Sequence, residues 1–190
     1  MTTSTTTLAS RVWPASGSLL KQALLAVLGS LFIAICAQIT IPLPLVPVTM
    51  QTFAVLAIGA AFGMRLGAAT LILYLLEGTL GLPVFATFMA GPHVLMGPTG
   101  GYLIGFVIAA ALVGWFAERG YDRRVLSMFA VMLLGAAILY VPGLLWLAKF
   151  TGYDKVLDLG LYPFIWGDLL KAALAAVAFP AAWAYLSSKR

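Results

Sequence analysis

The residues best equipped for chemistry stand in Gly167-Asp168-Leu169-Leu170-Lys171, where an acid and a base lie three positions apart inside an otherwise apolar run. On a helix that spacing puts both on one face, so they can pair or share one polar ligand. An ionisable group inside a membrane span costs from about 2.5 kcal/mol upward unless paired or solvated, so its presence there is a sign of use. Two readings stand side by side: a structural ion pair that holds the span to its neighbours, and a site for a polar solute. If both chain ends lie on one side of a membrane, Gln51 (opening the second apolar run), Glu77 (closing the third) and Asp168 (early in the sixth) reach one depth, which favours the site. One amide, two carboxylates and one ammonium under an apolar lid suit a small solute with hydrogen-bonding groups and a negative end. Tyr74, three residues before Glu77, and Trp166, close to Asp168 in the chain, would add apolar walls.

Other chemistries lack their residues. His93 is the single histidine, without a second ligand for a metal, and reads as a loop residue. Cys36 is the single cysteine and lies in an apolar run, so one chain can build neither a disulfide nor a cysteine metal site. No nucleophile stands beside a base, and no Gly-x-x-x-x-Gly-Lys-Ser/Thr phosphate loop occurs, so neither an enzyme nor an ATPase is expected. No cofactor is expected either.

The elements that must position these residues are membrane helices. Of 190 residues 63% are hydrophobic and 9% charged, and the mean hydropathy is +1.05; so few charges cannot cover a soluble fold. The net charge of +5 comes from residues between apolar runs, where they set topology rather than bind nucleic acid. About 20 apolar residues cross a bilayer, and that ruler cuts the chain into an all-α bundle of six transmembrane helices, near 19–41, 48–62, 66–80, 101–117, 125–150 and 162–186. Pro42, Pro44 and Pro47 make the first break an extended linker. Gly63-Met64-Arg65 makes the second a tight hairpin. Gly78, Gly81, Gly91 and Gly97 with Pro83, Pro92 and Pro98 interrupt the stretch before Gly101, whereas Pro142 and Pro180 are expected to kink helices without ending them.

Residues 1–18, rich in Thr and Ser, read as a flexible cytoplasmic tail ahead of a domain over 19–190. Arg11, Lys21, Arg65, Arg119, Arg123, Arg124, Lys189 and Arg190 fall on one side of the six-span arrangement and Lys149 and Lys155 on the other, placing both termini in the cytoplasm. Ala26, Ser30 and Ala34 recur every four residues, a narrow stripe where another helix could approach.

Several segments read together carry a resemblance: Pro47-Val48-Thr49-Met50-Gln51-Thr52-Phe53-Ala54-Val55-Leu56, Tyr74-Leu75-Leu76-Glu77-Gly78, Gly81-Leu82-Pro83-Val84-Phe85-Ala86, Gly97-Pro98-Thr99-Gly100-Gly101-Tyr102-Leu103-Ile104-Gly105-Phe106 and Gly167-Asp168-Leu169-Leu170-Lys171-Ala172. In this order they resemble the BioY family, the biotin-specific S components of energy-coupling factor transporters. The resemblance implies a six-helix subunit of the cell membrane that binds biotin from outside and associates with a transmembrane T component and two cytoplasmic ATPases. It also implies that Asp168 and Lys171 match the acid and base that contact biotin in the family's last-helix motif, while Gln51 and Glu77 sit in matching segments. Small-residue stripes on the first helix are docking surfaces for the T component in such subunits, which gives Ala26, Ser30 and Ala34 that role by resemblance. The stretch between Phe85 and Gly97 is less glycine-rich than the family's. A solitary oligomeric carrier of biotin, working without ATPases as a homodimer, or a membrane carrier of another small solute, stays open as the alternative.

Overall fold

The computed structural model describes residues 6–13 and 18–188. Thr7 opens α1 (Leu8–Val12): its hydroxyl accepts from the Ser10 amide at 3.3 Å while the Ser10 hydroxyl accepts from the Thr7 amide at 3.0 Å. These reciprocal bonds satisfy two N–H groups that a helix start otherwise leaves unpaired. The expected flexible tail therefore holds a capped helical turn, packed against the helices later in the chain named α3 (Gln51–Phe62) and α9 (Tyr162–Ser188). The rest of that tail, residues 1–5 and 14–17, lies outside the described residues, as do Lys189 and Arg190 of the charge count.

From Ser18, whose hydroxyl caps the Lys21 amide, α2 runs over Leu19–Gln38. The proline-rich linker follows, pinched at its base by two short strands, β1 (Thr40–Ile41) and β2 (Val48–Thr49), paired antiparallel with Thr40 opposite Thr49 and Ile41 opposite Val48. After α3, Gly63 turns the chain at φ +84°, a conformation that suits a residue without a Cβ, into α4 (Met64–Thr79). A 3₁₀ turn (Ala86–Phe88) and α5 (Pro92–Met96) lead to α6 (Gly100–Ala117). A second 3₁₀ turn (Tyr121–Arg123), α7 (Val125–Thr151), α8 (Val156–Gly160) and α9 complete the chain, and both α7 and α9 run through their prolines, Pro142 and Pro180, without a break.

Each of the six apolar segments thus holds one principal helix. Four stretches, α2, α6, α7 and Val156–Ser188, are long and apolar enough to cross a membrane. At 12 and 16 residues, α3 and α4 reach only about 18 and 24 Å, short of a hydrocarbon core of about 30 Å. The most buried of the four, α6, packs against α3, α4 and α7. Its contact with α7 needs glycine at 105, where a Cβ would stand 2.6 Å from the Leu139 carbonyl oxygen. Outward, the bundle presents Leu28, Leu31, Ile35, Ile72, Ile104, Ile108, Leu145, Leu174 and Val177. Such a surface is stable against lipid, and the chain is a multi-pass membrane protein.

At one end of the bundle the basic turns gather. The Arg123 guanidinium donates to Thr6 at 3.1 Å, and the Glu118 carboxylate accepts from the Met64 amide at 2.9 Å. Between them Asp122 is 1% exposed and accepts from the Trp183 indole at 2.6 Å, while its Oδ1 has no hydrogen-bond partner among the described residues. Burial pushes this carboxyl above the ordinary carboxylate range, opposed by the Trp183 hydrogen bond and the Arg123 charge.

The stripe on α2 calls for a correction. Ala26, Ser30 and Ala34 are all buried within the chain, Ser30 at 1% exposure. The neighbouring Gly29 lies against Ile58, Phe62 and Thr70, and the Ser30 hydroxyl donates to Glu77 Oε1 at 3.0 Å. The small residues let α2 approach this chain's own α3 and α4, so the stripe is not a free docking face.

Candidate ligand-binding site

In α9 the three-residue spacing does bring Asp168 and Lys171 together, and the local sequence around β2 supplies their partners. Lys171 Nζ donates to the Thr49 carbonyl at 2.8 Å, to Thr52 Oγ1 at 2.8 Å and to Asp168 Oδ1 at 3.1 Å. An ammonium has three hydrogens, so all are committed. The Thr52 hydroxyl passes its own hydrogen to Asp168 Oδ1 at 3.0 Å, and the Tyr140 hydroxyl donates to Oδ2. Both ions are buried. The result is a satisfied polar network tying β2, α3, α7 and α9 together, in surroundings where an unpaired charge would be expensive.

Lys171 faces a cleft, with Thr49, Gln51 and Thr52 on the same polar side. Much of the remaining lining is aromatic: Phe85, Tyr102, Phe106, Tyr140 and Phe164. Tyr102 is held by a 2.8 Å bond from its hydroxyl to the Gly160 carbonyl and meets Tyr140 edge to face at 6.0 Å. About 610 Å³ of the cleft is free of atoms, its open mouth included, but only about 60 Å³ is wide enough for the centre of a water molecule to move. The walls therefore stand close, and a flat or bicyclic guest would touch both faces or part them. Beyond Met89, Val94 and Thr99 the cleft continues into a vestibule lined by Pro42, Pro44, Thr87 and the exposed His93.

Gln51 lines the cleft, and Tyr74 stands directly behind it. The Gln51 amide donates to the Tyr74 hydroxyl at 2.6 Å, which donates on to the Val84 carbonyl at 2.9 Å. Such an array of apolar faces with one polar edge can hold an amphipathic ring system and hydrogen-bond its polar rim.

Against known families, the sequence matches the BioY family over residues 3–188. The chain belongs to the BioY family. Among its relatives, the probable biotin transporter BioY of Pyrococcus horikoshii is 40% identical over 153 residues, covering 79% of this chain and 90% of that protein. The biotin transporter BioY of Thermotoga maritima is 38% identical over 160 residues, covering 83% and 93%. The fold is similar to the crystal structure of the S-component for biotin from an ECF-type ABC transporter, with a TM-score of 0.76 at 23% identity over 87% of this chain and 92% of that one.

In this BioY-family chain three expected site residues besides Tyr74 stand elsewhere than the sequence suggested. Trp166 is 80% exposed, because two residues before Asp168 on a helix means about 200° of rotation and a side chain facing outward. Glu77 is turned to Ser30 on α2 and does not line the cleft. Asp168 lies behind Lys171 rather than on the cleft wall, its oxygens taken by Thr52, Tyr140 and Lys171. Conversely, sequence reasoning passed over Thr49, Thr52 and Tyr140. A tyrosine in the middle of an apolar span was a usable signal, since a buried hydroxyl needs a partner.

Proposed function

We propose that this chain captures biotin in the cleft and serves as the membrane-embedded substrate-binding subunit of an energy-coupling factor importer. The chain is a transport protein, not an enzyme. The observation that carries the reading is the aromatic cleft ending on a buried Lys171 ammonium held by Asp168, Thr49 and Thr52. Biotin is a thioether bicycle with two ureido N–H donors, one carbonyl acceptor and a carboxylate tail. Its apolar faces suit the aromatic walls; its polar rim suits Thr49, Gln51, Thr52 and Lys171. The Lys171 ammonium can exchange the Thr49 carbonyl for a ligand oxygen, and Asp168 can take a ureido donor once the cleft opens and the Thr52 hydroxyl turns away from it.

On this reading biotin is cargo, no cofactor is involved, the six principal helices lie in the cell membrane with α3 and α4 as the shorter members, both termini are cytoplasmic, and a T component with two ATPases supplies the energy. The buried α2 stripe implies that the T component meets another surface of this subunit. The test is binding of radiolabelled biotin to the purified protein, followed by a pull-down from the native membrane for co-purifying ATPases. Saturable binding with ATPases in the eluate is expected. Binding without ATPases would favour a solitary carrier, and no binding would remove the central claim.

A further inference from the structure

The cleft wall over residues 84–89 is an unfavourable piece of backbone. Thr87 and Phe88 are consecutive non-glycine residues at φ +57° and +58°. For L-residues this left-handed region is disfavoured, most of all for a β-branched side chain such as threonine. A pair of such residues persists only where surrounding contacts over-determine it. The flanking residues Phe85, Ala86 and Met89 line the cleft itself, and Thr87 lines the vestibule.

Backbone bonds close this turn, from the Phe85 amide to the Met89 carbonyl at 3.1 Å and from the Met89 amide to the Ala86 carbonyl at 3.3 Å, and one side chain 47 to 50 positions earlier in the chain braces it. Gln38, the last residue of α2, donates from Nε2 to the Phe85 carbonyl at 3.1 Å and to the Ala34 carbonyl at 3.1 Å. Its Oε1 accepts from the Phe88 amide at 3.0 Å. The amide thus bridges the Phe85 carbonyl, ahead of the strained pair, and the Phe88 amide, within it, while the bond to Ala34 fixes it to its own helix. From the other side Tyr74 holds Val84, and the Phe85 ring stands edge-on to Tyr74 at 5.5 Å. Gln38 does not itself line the cleft.

We infer that Gln38 is a positioning residue for ligand retention: its amide holds the 85–89 segment in the strained conformation that forms one wall of the cleft. Both polarities of the amide are used, so neither a carboxylate nor an apolar residue of similar size substitutes for it. The inference rests on the proposed binding of biotin in this cleft. Without the clasp the segment relaxes out of the left-handed region, and bound ligand must pay for re-ordering it, a cost that falls chiefly on the dissociation rate.

The experiment measures association and dissociation of radiolabelled biotin with the full-length protein in nanodiscs, together with its melting temperature, for wild type, Gln38→Ala, Gln38→Glu and the double variant Gln38→Ala with Thr87→Gly. Release from Gln38→Ala is expected to be about tenfold faster, with association changed by less than about threefold. Gln38→Glu keeps the acceptor for Phe88 but turns a second oxygen toward the Phe85 and Ala34 carbonyls, so it should lose as much. Glycine accepts the left-handed conformation freely, so Thr87→Gly should recover part of the slow release in the Gln38→Ala background. If Gln38→Ala does not fold, Gln38→Glu decides the question by the same rates. Wild-type kinetics in the glutamate variant, or losses that track the melting temperature and that Thr87→Gly leaves untouched, would overturn the inference. Absence of biotin binding by the wild type would instead overturn the reading on which it rests.

Discussion

Lys171→Met removes an ammonium that makes hydrogen bonds of 2.8, 2.8 and 3.1 Å to Thr49, Thr52 and Asp168, and it leaves the Asp168 carboxylate buried without its counter-ion. Breaking a buried pair from one side costs about 3–5 kcal/mol. Here the lower end applies, because Thr52 and Tyr140 still donate to Asp168. Adding Asp168→Asn removes the stranded charge, so the double variant should regain about 2 kcal/mol of that loss. Biotin binding should behave differently. A charge-assisted hydrogen bond to the ligand is worth about 1.5–3 kcal/mol, so Lys171→Met should weaken binding by about 10- to 150-fold, and the double variant should recover none of it. The assay pairs thermal unfolding in detergent with radioligand binding for the two single variants and the double. If binding recovers in step with stability, the pair is a structural strut and the ligand does not use Lys171.

Further expectations follow from the places where the structure redirected the sequence reading. Glu77→Gln keeps an oxygen for the Ser30 hydroxyl and should leave biotin affinity within about twofold; a loss matching that of Lys171→Met would put Glu77 in the site. Ala26→Trp with Ala34→Trp, which a free docking stripe would tolerate, should instead sharply lower the yield of folded protein, because both positions are buried. Normal folding with selective loss of partners would restore the stripe as a docking face. Asp122 supplies a pH signature: its raised carboxyl binds a proton more tightly folded than unfolded, so its contribution is fully present below the ordinary carboxylate range and is lost as pH rises through its folded value. Melting temperatures measured as pH rises from the ordinary carboxylate range should fall less steeply in Asp122→Asn than in the wild type, and identical slopes would refute this.

Why the sequence showed what it did has a physical basis in each case. The six apolar segments were legible because span length and proline chemistry act locally: each holds its principal helix, and the prolines at 42, 44 and 47 end one where expected. The Asp168 and Lys171 pair was legible because an ion in an apolar run must be explained, and i, i+3 spacing has one geometric meaning. Helix rotation was available too, and 200° between Trp166 and Asp168 would have removed the tryptophan. What was not legible is long-range. Nothing in the spacing says that Gln38 reaches across 50 positions to Phe88, or that Thr52 sits against α9. The same holds for the α2 stripe: small residues announce a close helix contact, but whether the neighbour is α4 or another protein is decided by tertiary packing.

The most direct test of the central claim is an experimental structure of the purified chain equilibrated with biotin. The account predicts one biotin in the cleft, its bicycle between Phe164, Tyr140 and Tyr102 and an oxygen within hydrogen-bond distance of Lys171 Nζ. Biotin seated anywhere else, or a cleft left empty under saturating ligand, would contradict it.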